Sequence, residues 1–332
     1  MAEFILGSPL KPLARRFPRL RRVLWRLDEG FIRLLLGLLR RLPVDRASRM
    51  GSHLGGFVGP LLRNKSRLLK ENLAIAFPER SGHELNTLVR DCWRQSGRIL
   101  AEFPRLERLT TDTARFELDT RLCDPAALQP CILLSAHLSN WEVIGIGLQQ
   151  LGVPHVALYT PPSNPHLDRM LHDSRTAMGT GLLPRDNSAR QLLRAMKEGH
   201  STAMAVDRRV DEGVDITFFG HPKASTLMPA RLALKQGYAF IPTRVQRLED
   251  ARFRITFYPP IEPSDPFADE RERAIDMTQQ LHRQFETWIR EQPAEWLCSK
   301  RLWPRGTTPA GGTNAAGHAV QSAGATRYNK AS

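Results

Sequence analysis

The sequence predicts an α/β protein: a single domain with a mixed central sheet flanked by helices, preceded by a basic amphipathic helix. Short apolar runs typical of buried strands occur between longer segments in which apolar residues have helical spacing. Charged and polar residues follow two of these runs directly, as expected where strands end at the crevice of an open α/β sheet. With 332 residues, 41% hydrophobic and 25% charged, the chain can bury one large core.

The charge balance is strongly basic. The chain has 48 Lys and Arg against 34 Asp and Glu, a formal net charge of +14. Such a charge favours anionic partners, whether nucleic acid, a membrane surface or a phosphorylated substrate. We expect no nucleic acid partner, because the chain has no recognition motif and no basic stripe with interleaved aromatic residues.

The cysteine pattern bears on metal binding and on the redox compartment. Cys92, Cys123, Cys131 and Cys298 have no paired spacing. This argues against a disulfide framework and a zinc site and favours a reducing compartment. We therefore predict no metal site.

Residues 1–42 form the first predicted segment, a basic arm. Seven basic residues lie between Lys11 and Arg26, and an apolar run from Phe31 to Leu39 follows. This run is interrupted by Arg33 and is well short of the 18 or so apolar residues that a spanning helix needs. We predict an amphipathic helix that lies on a membrane surface. A surface helix packed on the domain, with a solvated basic face, is the alternative.

Residues 43–304 form the predicted globular domain. Pro78 should end one helix, and Ser81-Gly82-His83-Glu84 reads as the capping box of the next. Apolar residues from Leu85 to Phe103 keep one helical face, which indicates a scaffold role. Residues 305–332 contain almost no large apolar side chains, so we expect a disordered tail.

The centre of the domain is a predicted strand, turn and helix. Cys131–Ala136 reads as a buried strand, and Val143–Leu151 reads as a helix. His137 would lie at the carboxyl end of the strand, and Glu142 in the first helical turn would turn its carboxylate towards the imidazole. A carboxylate beside a histidine raises its basicity and fixes its tautomer, which makes the ring a general base.

Two alternatives for the central motif remain open. A histidine at a strand end is often a hydrogen-bonded structural residue rather than a catalyst. Ser139-x-x-Glu142 also fits a capping box, in which Glu142 only satisfies a backbone N–H group.

The following segment predicts further helices and a second buried strand. We expect a helix over residues 166–183, followed by Pro184-Arg185, and an amphipathic helix over 188–198 that ends at Gly199. Thr202–Val206 reads as a buried strand and is followed by Asp207-Arg208-Arg209. A charged cluster at that position again points to the crevice.

The last part of the domain predicts one helix, two strands and a long final helix. Ser225 or Thr226 should cap a helix that Gly237 ends, and such an N-terminus can bind a phosphate or carbonyl oxygen. Residues 238–245 and 252–258 read as strands, and 270–291 as a helix.

Several blocks of the chain resemble a known family. His137-Leu138-Ser139-Asn140-Trp141-Glu142 resembles the His-x-x-x-x-Glu motif of the lysophospholipid acyltransferase superfamily and, more narrowly, that of the bacterial lipid A biosynthesis lauroyl/myristoyl acyltransferases. Similar blocks occur at Glu71–Glu79, Phe218–Gly220, Ala224–Ala233 and Trp288–Trp296. The resemblance extends from about Phe31 to Trp303.

The resemblance implies a reaction. A fatty acyl chain would pass from an acyl carrier protein thioester to a hydroxyl of a lipid A precursor, without a cofactor, in late lipopolysaccharide acylation. His137 would be the general base, Glu142 would orient it, and Arg175 would stabilise anionic groups. An acyl-CoA donor stays open, as does a lysophospholipid or amino-acid-based lipid acceptor. From another class, a non-catalytic protein that binds anionic membranes stays open as well.

The resemblance also implies binding residues, partners and a location. The residues expected to contact substrate are Asn140, Arg185, Asp207, Arg208, Gly220, Thr226 and Arg231. Arg208 departs from the family, which usually has Asp-Gln at 207–208. The expected partners are acyl carrier protein, an anionic glycolipid acceptor and the cytoplasmic face of the cell inner membrane, bound peripherally or monotopically.

Overall fold

The computed structural model describes residues 10–184 and 189–309. Its α-helices are α1 Lys11–Arg16, α2 Pro18–Leu39, α3 Val44–Val58, α4 Arg63–Ala76, α5 Gly82–Glu102, α6 Leu106–Leu109, α7 Ile144–Gln150, α8 Pro165–Thr176, α9 Ala189–Lys197, α10 Met228–Gln236 and α11 Glu270–Glu291. Its strands are β1 Phe116–Asp119, β2 Cys131–Ser135, β3 His155–Tyr159, β4 Gly181–Pro184, β5 Ser201–Ala205, β6 Val214–Phe218, β7 His221–Ser225, β8 Ala239–Arg247 and β9 Phe253–Phe257.

Seven of these strands form one mixed sheet in the order β1-β9-β8-β2-β5-β3-β4. All neighbouring pairs are parallel except β8 and β9, which run antiparallel. β6 and β7 form a separate antiparallel hairpin. The predicted α/β class with a mixed central sheet is therefore confirmed.

The core lies on both faces of the sheet, and β2 shows why. Its side chains alternate: Ile132 and Leu134 belong to a cluster with α4, α5, α10 and α11, whereas Cys131 and Leu133 belong to a cluster with α6 and α7. Successive residues of a strand point to opposite faces, so a run that is apolar throughout predicts a strand covered on both sides.

The ends of several helices were predictable from local chemistry. Ser81 and Glu84 form the predicted capping box at the start of α5, with Ser81 N–H donating to Glu84 Oε2 at 2.7 Å. Gly237 ends α10 in the left-handed region at φ +69°, as a glycine C-cap should. The predicted helix 270–291 is α11.

Two parts of the prediction are wrong. The helix expected over 166–183 ends at Thr176, and Gly181–Pro184 is instead β4, paired with β3. Gly179 separates the two at φ +75°, a conformation that ends a helix. Ser225 does not cap α10 but ends β7 in the hairpin that the sequence analysis missed.

Helices α3 and α5 touch along their backbones. A methyl group added at Gly97 would lie 2.0 Å from the carbonyl oxygen of Gly51, and one at Gly55 would lie 2.2 Å from that of Trp93. Only glycine permits this approach, since the distance between packed helices depends on the side chains at the contact. As a result, the small residues of α3 face the protein and its larger apolar residues, among them Leu54 and Phe57, are exposed.

Helix α2 is docked on the domain by a few contacts. Leu39 is buried in a cluster with Ala47 and Ala101, and Asn164 Nδ2 donates to the carbonyl oxygen of Trp25 at 3.1 Å. On its outer side α2 exposes an apolar row: Val23, Leu27, Phe31, Leu34 and Leu38. Over residues 10–184 and 189–309, none of the helices combines the length and the apolar character required to cross a membrane.

Candidate active site

The site is built at the carboxyl ends of two neighbouring parallel strands. Ser135 of β2 pairs with Ala205 of β5, and the N–H of Val206 still donates to the carbonyl oxygen of Ser135 at 3.0 Å. His137 and Asp207 each lie two residues beyond the last paired position. The register of the sheet therefore brings an imidazole and a carboxylate to the same point.

His137 and Asp207 form a buried pair. His137 Nδ1 and Asp207 Oδ1 are 2.5 Å apart, and the Trp296 indole N–H donates to Asp207 Oδ2 at 3.0 Å. Burial alone would raise the pKa of Asp207, but the His137 ring and the Trp296 hydrogen bond hold it well below its ordinary value. Asp207 is thus an ionised acceptor with both oxygens bonded.

This pairing assigns the tautomer of His137. Because ionised Asp207 can only accept, Nδ1 carries the proton and donates it. In the neutral ring Nε2 is then the nitrogen with a free lone pair, and no hydrogen bond from it to residues 10–184 or 189–309 is found. A substrate hydroxyl that reaches Nε2 can therefore give up its proton there.

The structure corrects the prediction that Glu142 orients His137. Arg175, from the last turn of α8, donates to both oxygens of Glu142, through Nε at 2.8 Å and Nη2 at 2.6 Å. Glu142 lies in a 3₁₀ turn before α7, and both side chains of the ion pair are largely buried. A bidentate pair of this kind has a fixed geometry. It joins the start of α7 to the end of α8, and the carboxylate bonded to His137 is that of Asp207.

Asn140 was predicted to contact substrate, but its side chain is bonded inside the protein. Its side chain is 0% exposed, and Nδ2 donates to Glu102 Oε2 at 2.9 Å. Glu102 is itself buried and accepts two further bonds from Arg247, at 2.6 and 2.9 Å, and one from Ser48 at 2.6 Å. Asn140 thus anchors the turn after His137 to α5 and β8.

The capping-box alternative for Ser139 and Glu142 is not realised. The 3₁₀ turn that contains Glu142 has Asn140 at its N-cap and no side-chain capping bond, and Glu142 is bonded to Arg175 instead. Ser139 has φ +51°, and its N–H donates to the carbonyl oxygen of Glu295 at 3.1 Å. The turn is therefore held by the C-terminal segment rather than by a local cap.

The remaining predicted binding residues are spread over the domain. Arg208, half-buried, follows Asp207 directly. The Thr226 hydroxyl accepts from the N–H of Met228 at 3.2 Å, but the N-cap of α10 is Leu227, which makes no side-chain capping bond. Gly220 lies in the turn of the β6–β7 hairpin at φ +74°.

Two other residues, Arg231 and Arg185, were predicted to contact substrate. Arg231 lies on α10, and its exposed side chain pairs with Glu270 at 3.1 Å. Arg185 lies outside the described residues.

The C-terminal segment contributes residues that the sequence analysis missed. The N–H of Leu297 donates to the carbonyl oxygen of His137 at 2.8 Å, and Leu138 forms an isolated bridge with Trp296. Asn72 of α4 donates to the carbonyl oxygens of Cys298 and Lys300, both at 2.6 Å. No local pattern predicts these contacts, because their partners are 158 or more residues apart in the sequence.

Comparison with known proteins assigns the family. The model of the bacterial lipid A biosynthesis acyltransferase family matches residues 22–305. The chain belongs to this family. It is therefore an acyltransferase with a lipid acceptor, and the predicted family resemblance is confirmed.

Individual relatives of this acyltransferase are distant. The lipid A biosynthesis lauroyltransferase of Escherichia coli (strain K12) is 24% identical over 278 residues, which are 76% of this chain and 89% of the relative. A phosphatidylinositol mannoside acyltransferase of Mycobacterium tuberculosis (strain CDC 1551 / Oshkosh) is 24% identical, over 52% of this chain and 54% of the relative. The lipid A biosynthesis palmitoleoyltransferase of Escherichia coli (strain K12) is 23% identical, over 52% and 58%. The last two matches span only about half of each relative.

Proposed function

We propose that the protein transfers a fatty acyl chain from an acyl carrier protein thioester to a hydroxyl of a lipid A precursor. The observation that carries this proposal is the buried His137–Asp207 pair, in which Nε2 is left to accept a proton. It lies in the stretch matched by the lipid A acyltransferase family.

In the proposed reaction His137 acts as general base and then as general acid. Nε2 removes the proton of the acceptor hydroxyl while its oxygen attacks the thioester carbonyl. When the tetrahedral intermediate collapses, the C–S bond breaks and the imidazolium returns the proton to the departing thiolate. Asp207 stabilises the imidazolium and keeps the ring in the required tautomer.

In this proposal Arg175 binds substrate and takes no part in proton transfer. Its Nε and Nη2 are bonded to Glu142, and no bond from Nη1 to the described residues is found. We propose that Nη1 binds a phosphate or carboxylate of the substrate, because a guanidinium can bond anions on more than one edge.

The charge of the protein supports anionic substrates. A net charge of +14 favours approach of an acidic carrier protein and a phosphorylated glycolipid. One relative is named for a different acceptor, phosphatidylinositol mannoside. That match makes another lipid acceptor the second candidate for the same chemistry.

The test is a transfer assay with a choice of substrates. Purified full-length protein is incubated with acyl carrier protein or CoA thioesters and with either a lipid A precursor or a phosphatidylinositol mannoside, and products are identified by mass spectrometry. We expect acylated lipid A precursor from the carrier-protein thioester, and none with His137→Ala. Acylation of only the other acceptor would overturn the proposed acceptor while leaving the chemistry intact.

We further propose peripheral or monotopic attachment to the cytoplasmic face of the inner membrane through α2, within a membrane-associating arm formed by residues 1–42. Its exposed apolar row is supported by basic residues of the same helix, among them Arg19, Arg22 and Arg26. Apolar side chains that enter a bilayer and cations near anionic lipids both favour attachment. The exposed Phe57 of α3, at 74%, extends the apolar surface available to lipid.

Substitutions in the apolar row should weaken membrane binding. The triple variant of Leu27, Phe31 and Leu34 to Ser should lower partitioning onto phosphatidylglycerol-containing vesicles at least about tenfold, since each buried apolar side chain contributes about 1.5–3 kcal/mol. Flotation of the full-length protein measures this. Phe267→Ser is the matched control, because Phe267 is 96% exposed and lies outside α2 and α3. Equal flotation of the triple variant and the control would contradict the proposal.

A further inference from the structure

A buried lysine lies behind the His137–Asp207 pair. Lys223, on β7, is 0% exposed, and its Nζ donates to the backbone carbonyl oxygen of Asp207 at 2.8 Å. The ammonium group also lies 5.0 Å from the centre of the Phe218 ring. Lysine is almost never fully buried unless it is paired, so this position calls for a function.

Among the ionisable groups around Lys223, Asp207 is its counterion. Burial lowers the pKa of Lys223 to about 8 and the negative charge of Asp207 raises it, so the side chain remains mostly charged at neutral pH. Burial and the Lys223 charge lower the pKa of His282, on α11, to about 3. Burial raises the pKa of the Cys298 thiol well above its ordinary value. Both groups are therefore neutral, and Arg208 is the other cation that acts on Asp207.

We propose that Lys223 is a positioning and charge-balancing residue, which fixes the backbone of Asp207 and offsets its charge so that the His137 imidazole stays neutral between turnovers. This inference rests on the proposed role of His137 as the base. A buried carboxylate alone favours the imidazolium, which cannot accept a proton from the acceptor. The positive charge of buried Lys223 opposes that effect. A general base works best when its unprotonated form is populated at the working pH.

The experiment measures the protonation of His137 in the full-length protein. Lys223→Met removes the charge, whereas Lys223→Gln removes the charge but keeps an N–H donor for Asp207. The Cε1–H resonance of His137, identified by its absence in His137→Gln, is followed by NMR between pH 5 and 9. The pH profile of kcat/KM is measured in parallel. Lys235→Met, which removes an exposed lysine of α10, is the control.

In both neutral variants we expect the pKa of His137 to rise by about one unit, with the acid limb of kcat/KM moving to higher pH by the same amount. The control should not change. An unchanged pKa of His137 in Lys223→Gln would overturn the proposal, as would a shift in Lys223→Met that Lys223→Gln reverses, because the hydrogen bond alone would then explain the lysine.

A wild-type measurement covers the case in which neither variant folds. Between pH 7 and 10 the His137 resonance should show a second, smaller step as Lys223 loses its proton, and a single-step titration would overturn the proposal. The NMR readout does not depend on turnover. A wrong acceptor or donor would therefore appear in the transfer assay without changing the titration.

Discussion

Loss of either member of the His137–Asp207 pair is expected to reduce kcat/KM for acyl transfer by about 10²–10⁴-fold while the protein stays folded. His137→Ala removes the proposed proton acceptor. Asp207→Asn keeps the size of the side chain but removes the anion that fixes the tautomer and stabilises the imidazolium. The measurement is initial acyl-transfer rates, accompanied by thermal unfolding curves.

The Glu142→Gln variant decides whether Glu142 or Asp207 is the carboxylate that orients His137. In the structure Glu142 is bonded to Arg175, so its loss should disturb the junction of α7 and α8 and reduce kcat less than Asp207→Asn does. A larger loss of kcat for Glu142→Gln than for Asp207→Asn would restore the sequence-based assignment. A normally folded His137→Ala protein with nearly wild-type rates would exclude both.

Glu102→Ala should produce the largest loss of stability, about 3–5 kcal/mol in the free energy of unfolding. Glu102 is fully buried and joins Arg247, Ser48 and Asn140. Its removal leaves the Arg247 cation buried beside a partner that cannot accept. Since Asn140 loses its anchor as well, acyl transfer should also decrease.

Denaturant unfolding measures this effect against a matched control. Glu107→Ala removes a glutamate that pairs with Arg40 at 3.1 Å, but both side chains of this pair are more than half exposed. Exposed pairs contribute about 0–1 kcal/mol, so the control should unfold almost like the wild type. Similar midpoints for Glu102→Ala and Glu107→Ala would show that the buried network does not stabilise the fold.

Local chemistry predicted those features that depend on neighbouring residues. The capping box at Ser81, the C-cap at Gly237 and the strand before His137 each need only a few adjacent residues to form. The end of the helix expected over 166–183 was missed, because its apolar residues continue past Gly179 into a strand. Apolar runs of that length fit either structure until a partner strand is known.

The site itself was only half predictable. The sequence placed both His137 and Asp207 at strand ends, but their pairing follows from the register between β2 and β5. The nearby Glu142 was therefore taken for the partner, although Arg175 holds it. One signal for the pairing was available: His137 and Asp207 lie equally far, two residues, beyond the ends of their strands. No sequence signal pointed to Trp296, because its bond to Asp207 spans 89 positions.

The crossing of the C-terminal segment beneath His137 has a consequence for synthesis of the enzyme on the ribosome. Leu297 and Trp296 hold the turn at His137 and the side chain of Asp207, and Asn72 fixes the chain as far as Lys300. A chain that is still being translated can fold its N-terminal helices first. It cannot complete the site until about residue 300 has left the ribosome. Nascent chains shorter than this should therefore show no acyltransferase activity.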